Sequence, residues 1–146
     1  MSNKIYPIGI QNFEKIRKGG YCYIDKTAWI YQMVKTGSYY FLSRPRRFGK
    51  SLLLSALEAY FQGKKKLFEG LAIEKLEKDW FKYPILHIDL NTEKYDTPER
   101  LENKLNRTLV EWEKIYGAES AETSLAMRFE GIIQRACEKE GQSVVI

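Results

Sequence analysis

The chain has 146 residues, 44% of them hydrophobic and 14% aromatic, enough apolar material for one packed core and too much for a disordered segment. Its net charge of +5 favours anionic partners, without separating a nucleotide from a nucleic acid or from an ordinary solvated basic surface. Two distant cysteines, Cys22 and Cys137, exclude a disulfide framework and a clustered zinc site, and no run approaches the roughly 18 apolar residues of a membrane span.

No secretory leader is visible in Met1–Gly9, so the protein is expected in the cytoplasm with no membrane partner. Residues Ile8–Arg17 read as a short amphipathic turn or helix ending at Gly19-Gly20, followed by an extended Tyr21–Ile24. Thr27 is a candidate N-cap, and the helix it opens carries Trp29, Ile30, Met33 and Val34 before Gly37 stops it. Cap and turn are one reading of Asp25 and Thr27. The other places Tyr23–Lys26 near a nucleotide base.

Ser38–Ser43 contains the continuous apolar run Tyr39-Tyr40-Phe41-Leu42, the pattern of a buried strand. A loop, Arg44–Gly49, leads into a helix from Lys50 to about Gln62, ended by Gly63. Its leucines, alanines, Tyr60 and Phe61 cover almost the whole circumference, which predicts a buried helix. The charged stretch Lys64–Phe81 predicts one or two short surface helices, with Lys64-Lys65-Lys66 as a solvated turn.

Pro84–Leu90 reads as a second core strand, with His87 a structural residue and Asp89 at its C-terminal end. A turn through Asn91–Asp96 reaches Thr97-Pro98, an N-cap followed by proline at the first helical position. That helix runs to Tyr116 with Leu101, Leu105, Leu109 and Trp112 on one face, and Gly117 ends it. A further helix, about Ala121–Glu140, places Leu125, Phe129, Ile132, Ile133 and Ala136 on one face, with Cys137 on the apolar side, and Gly141 ends it. Ser143–Ile146 begins a third β-type run.

Strand–helix–strand–helix–strand order predicts an α/β fold with a mainly parallel sheet and flanking helices. The whole of 1–146 is read as the front of one such domain, with 1–37 an N-terminal extension and helix and 38–146 the start of its core. A bare Val144-Val145-Ile146 is an unusual terminus, so the domain is expected to continue beyond it.

The chemistry-bearing segment is Phe41–Ser55. A phosphate-binding loop has the pattern G-x-x-x-x-G-K-[ST] between a strand and a helix. Gly49, Lys50 and Ser51 match its second half, and Arg44 replaces the first glycine. Gly49 lets the backbone approach a phosphate, and the helix N-terminus offers unpaired N–H groups. Lys50 is the residue to reach the β- and γ-phosphates of ATP, and the Ser51 hydroxyl is the candidate Mg²⁺ ligand. The candidate nucleotide-binding set is therefore Arg44, Pro45, Arg46, Arg47, Phe48, Gly49, Lys50, Ser51 and Leu52. Arg44, Arg46 and Arg47 suit neutralising a triphosphate, and equally suit an acidic partner or a solvated turn.

The run Ser43–Leu54 (SRPRRFGKSLLL) resembles the AAA-ATPase-like family of bacterial proteins. The resemblance includes Pro7-Ile8-Gly9-Ile10, Phe13-Glu14-Lys15-Ile16-Arg17, Tyr23-Ile24-Asp25-Lys26-Thr27, Leu57-Glu58-Ala59-Tyr60-Phe61 and His87-Ile88-Asp89-Leu90. An arginine in place of the first glycine is a habit of that family. The resemblance implies an ATP-binding module, coupled in complete members to a C-terminal PD-(D/E)XK nuclease-like domain and through it to nucleic acid. It also implies a Walker B acid on the strand that begins at Ser143. That acid is absent from these residues, so the chain is expected to bind nucleotide and to hydrolyse it poorly. The rival expectations are a basic nucleic-acid-binding module and a degenerate loop kept for interaction.

Overall fold

The computed structural model describes residues 5–92 and 94–146. They form two compact units, one ending at Phe81 and one running Lys82–Ile146.

The first unit holds four helices, α1 (Phe13–Lys18), α2 (Thr27–Thr36), α3 (Lys50–Phe61) and α4 (Ala72–Leu76), with a 3₁₀ turn at Lys65–Phe68. Asn12 starts α1 by accepting a hydrogen bond from the Lys15 N–H at 2.9 Å. α1 then drops Phe13 and Ile16 into the interior. Phe13, Ile30, Ala56, Ala59, Tyr60, Phe68 and Ile73 share one core, in which the Phe13 and Phe68 rings lie 4.8 Å apart and Trp80 closes on Phe68 at 5.1 Å. Each such aromatic buries apolar area corresponding to about 1.5–3 kcal/mol. Arg17 ties the 3₁₀ turn down, its Nε donating to the Leu67 carbonyl at 2.7 Å.

The charged stretch after α3 is therefore not a surface appendage. It does form short helices, but Leu67, Phe68, Leu71 and Ile73 are buried beneath its lysines. Conversely, α3 is less enclosed than its composition predicts. Only Ala56, Ala59 and Tyr60 are buried, and Leu54 stays more than half exposed.

The second unit is built on α5 (Pro98–Tyr116) and α6 (Leu125–Glu140). Thr97 and Pro98 open α5 and Gly117 ends it, as the sequence signals require. α6 starts later than expected, because Ser124 is its N-cap and accepts from the Met127 N–H at 3.2 Å. Leu109, Trp112 and Ile132 are buried together with Leu86, and Phe129 stacks on Trp112 at 6.0 Å. Leu101 and Leu105 lie outside that cluster. Two buttresses brace the unit: Arg128 grips Glu113 with both prongs (2.6 and 2.8 Å), and Arg135 grips Glu122 (2.5 and 3.0 Å). Cys137 is exposed, off the apolar side.

The expectation of an α/β fold with a mainly parallel sheet is overturned: among the described residues the architecture is helical, with no strand. The only β pairing among them is a single parallel bridge between Ile85 and Val145. The residues 38–43 are unpaired, with Tyr39 97% and Phe41 94% exposed. Apolar content favours burial of a segment, but a strand also needs a neighbour for its backbone N–H and C=O groups. Tyr40 finds a local partner instead, its hydroxyl donating to the Met33 carbonyl at 2.6 Å. The segment 84–90 is half right. Pro84 and Leu86 are buried while His87, Asp89 and Leu90 face out, so one face packs without a ladder. The predicted turn Asn91–Asp96 includes Glu93, which lies outside the described residues.

Candidate phosphate-binding loop

The segment Arg44–Gly49 is an exposed loop that enters α3 at Lys50. Gly49 is the N-cap and takes the left-handed conformation (φ 78°), which glycine adopts without a Cβ penalty. Arg47 is also left-handed (φ 67°), a strained position for a residue with a side chain. The two left-handed residues precede α3, whose first turn carries the exposed Ser51. No side chain among the described residues caps that end, which leaves it as the positive pole of the 12-residue helix.

The candidate side chains occupy this loop in distinct ways. Lys50 folds back and its Nζ donates to the carbonyl oxygens of Arg44 and, at 3.2 Å, of Pro45. Arg46 and Arg47 form the exposed turn, and Phe48 is 63% exposed beside them. Ser51 is exposed in the first turn of α3, and Leu52 points inward against the first unit's core. The loop thus brings three guanidinium groups, an ammonium, one hydroxyl and an open helix end into nine consecutive residues. Mg²⁺ prefers six oxygen ligands and is usually held by one or two carboxylates together with phosphate oxygens. Ser51 offers a single neutral oxygen, and no group of three or more His, Cys, Asp or Glu among the described residues could hold a metal ion. These residues fit Mg²⁺ only as an ion that arrives with the phosphates it bridges.

Ser55 has a role that the sequence reading missed. Its Oγ accepts from the Phe13 N–H at 2.8 Å and donates to the Leu52 carbonyl at 3.0 Å. It locks the start of α1 onto α3 one turn below the loop. A serine inside an otherwise apolar helical run was the available signal.

Asp25 and Thr27 form a different kind of centre. Lys26 is the N-cap of α2, and Thr27 is the first helical residue and fully buried. Asp25 accepts from the Thr27 N–H at 2.8 Å, the Thr27 hydroxyl at 2.7 Å and the Ala72 N–H at 2.7 Å. Thr27 Oγ1 in turn accepts from the Ile73 N–H at 3.1 Å. Partial burial works to raise the Asp25 carboxyl, yet the bonds from Thr27 and Ala72 hold it below the usual range. The pair clasps the start of α2 to the start of α4. In the second unit, His87 and Asp89 are exposed, and Asp89 accepts from the Asn91 N–H at 2.8 Å as a turn residue.

The model of the family described as "Predicted AAA-ATPase" matches residues 7–146. The chain belongs to this predicted AAA-ATPase family. It is 40% identical over 148 residues to a protein of Azotobacter chroococcum mcd 1 named "Uncharacterized protein in vnfD 5′ region". The match takes in all of this chain and 28% of that relative, so the chain spans little more than a quarter of the relative's length. No solved structure matches it. Among the described residues, no helix of this family member is long and apolar enough to cross a membrane.

Proposed function

We propose that Arg44–Ser51 binds the phosphate chain of Mg-ATP, and that this chain is the nucleotide-binding module of a longer protein. The observation that carries the reading is the left-handed Gly49 at an uncapped helix start, followed at once by Lys50 and Ser51. Phosphates accept well at such an end, because N–H groups and the helix dipole point at them together. Lys50 exchanges two loop carbonyls for the β- and γ-phosphates, Ser51 adds an oxygen to the ion they carry, and the arginines neutralise charge. Family membership supports the same chemistry. Hydrolysis in the complete protein, and coupling to a nuclease-like domain, belong to this proposal as what the resemblance implies.

Residue-resolved titration tests it. Mg-ATP should shift the backbone amide resonances of Gly49, Lys50, Ser51 and Leu52 before any others, and AMP should shift them far less. Shifts confined to residues outside Arg44–Leu52 would overturn the assignment.

A further inference from the structure

Few contacts set the path of the chain from α2 to the phosphate loop. Every residue from 38 to 49 is exposed, and among the described residues none of them joins the first unit's core. At the α3 end, Lys50 ties the stretch down through the Arg44 and Pro45 carbonyls. At the α2 end, the Tyr40 hydroxyl donates to the Met33 carbonyl at 2.6 Å. That carbonyl lies in the last turn of α2, where acceptors lack partners within the helix, and it also accepts from the Gly37 N–H at 3.3 Å. The Tyr40 ring folds closely over Gly37, so that a Cβ there would stand 2.5 Å from the hydroxyl.

The two ties divide the stretch. Tyr40 closes the chain back onto Met33, Lys50 closes it onto Arg44, and only Phe41, Leu42 and Ser43 separate the two closures. Arg47 holds its left-handed φ of 67° inside the second closure. A conformation of that kind persists where its surroundings over-determine it. When Lys50 turns to a phosphate, as proposed above, its closure opens and the Tyr40 tie remains. Without that tie the loop would visit more conformations, and apparent affinity falls with the fraction of molecules in the competent one.

We infer that Tyr40 is a positioning residue of the phosphate site: its hydroxyl, bound to Met33, fixes where the chain enters Arg44–Gly49. The inference rests on the reading of Arg44–Ser51 as that site.

The test compares wild type, Tyr40→Phe, Gly37→Ala and the double variant in the 146-residue chain. Tyr40→Phe keeps the ring and removes the donor. Gly37→Ala displaces the hydroxyl without backbone strain, because φ at Gly37 is −156°, extended backbone open to any residue. In calorimetry, either single variant should bind Mg-ATP about two- to tenfold more weakly, the effect of one neutral hydrogen bond. The double variant should be no weaker than the singles, since both changes remove the same tie. In the ligand-free chain, the heteronuclear NOEs of the Phe41, Leu42 and Ser43 amides should fall in both single variants, while those of α1 and far-UV circular dichroism stay unchanged. Wild-type NOEs in both single variants would overturn the inference. So would wild-type affinity in both, or losses that add in the double variant. Absence of binding heat with wild type would overturn the phosphate reading instead, and the NOEs would still decide whether Tyr40 orders the entry to the loop.

Discussion

One oxygen of Asp25 accepts hydrogen bonds from both the backbone N–H and the hydroxyl of Thr27, at 2.8 and 2.7 Å, so the carboxylate and the threonine act as one clasp. Thr27 is fully buried and its hydroxyl is also the acceptor for the Ile73 N–H. Thr27→Val keeps the volume and removes the hydroxyl, leaving a buried N–H without its acceptor. The expected cost is about 1–3 kcal/mol of stability. Urea denaturation followed by circular dichroism measures it. A variant as stable as wild type would show that the clasp contributes nothing.

Gly131 faces the Glu122 carboxylate so closely that a Cβ there would collide with it. Glu122 and Arg135 are mostly buried, at 11% and 18% side-chain exposure. Gly131→Ala should push Glu122 off Arg135 and destabilise the fold by about 1–3 kcal/mol, although alanine is the better helix former. Thermal melting of Gly131→Ala beside Gly131→Ala/Glu122→Ala checks the cause. The second change should restore part of the loss if the collision is responsible.

Acid should act on Glu14. Lys18 at 2.6 Å and Lys64 at 2.7 Å hold its carboxyl down to about 2, against an ordinary value of 4.5. A carboxyl depressed on folding contributes stability that is complete above pH 4.5 and disappears as pH falls towards 2. The thermal midpoint of Glu14→Gln should therefore lie slightly below wild type at neutral pH and converge with it near pH 2. A constant gap across that range would mean Glu14 acts through packing.

Much of the helical framework was legible because its punctuation is local. Pro98, Gly117 and Gly141 stand at the ends of α5 and α6 where those residue types belong, and Thr97 takes the N-cap position without a capping hydrogen bond from its side chain. Pairing was not legible, since a strand depends on a neighbour far away in sequence. Tyr39–Leu42 and Pro84–Leu90 have strand composition, yet only Ile85 meets a β partner among the described residues. The short helices after α3 are legible but their burial is not, because three consecutive lysines precede Leu67 and Phe68 and charge density hides a core element. At the loop, the spacing Gly49-Lys50-Ser51 was visible from the start. The return of Lys50 onto the Arg44 carbonyl and the left-handed Arg47 are backbone facts that no residue pattern encodes.

Arg47 offers a clean separation of backbone from charge. A left-handed residue with a side chain carries about 1–2 kcal/mol of strain, which glycine relieves at an unfolded-state entropy cost of about 0.5–1 kcal/mol. Arg47→Gly should leave the thermal midpoint unchanged or slightly higher, while Arg47→Val should lower it. If the guanidinium neutralises phosphate, both variants should weaken Mg-ATP binding alike. Weakening by valine alone would assign Arg47 a conformational role only.

The central claim is that Lys50 leaves the Arg44 and Pro45 carbonyls to hold a phosphate chain. Isothermal calorimetry with Mg-ATP, comparing wild type with Lys50→Ala, tests it most directly. A hydrogen bond between charged groups contributes about 1.5–3 kcal/mol, so the variant should bind roughly ten- to a hundred-fold more weakly while keeping its helical content. Equal affinity of the two proteins for Mg-ATP would contradict the account.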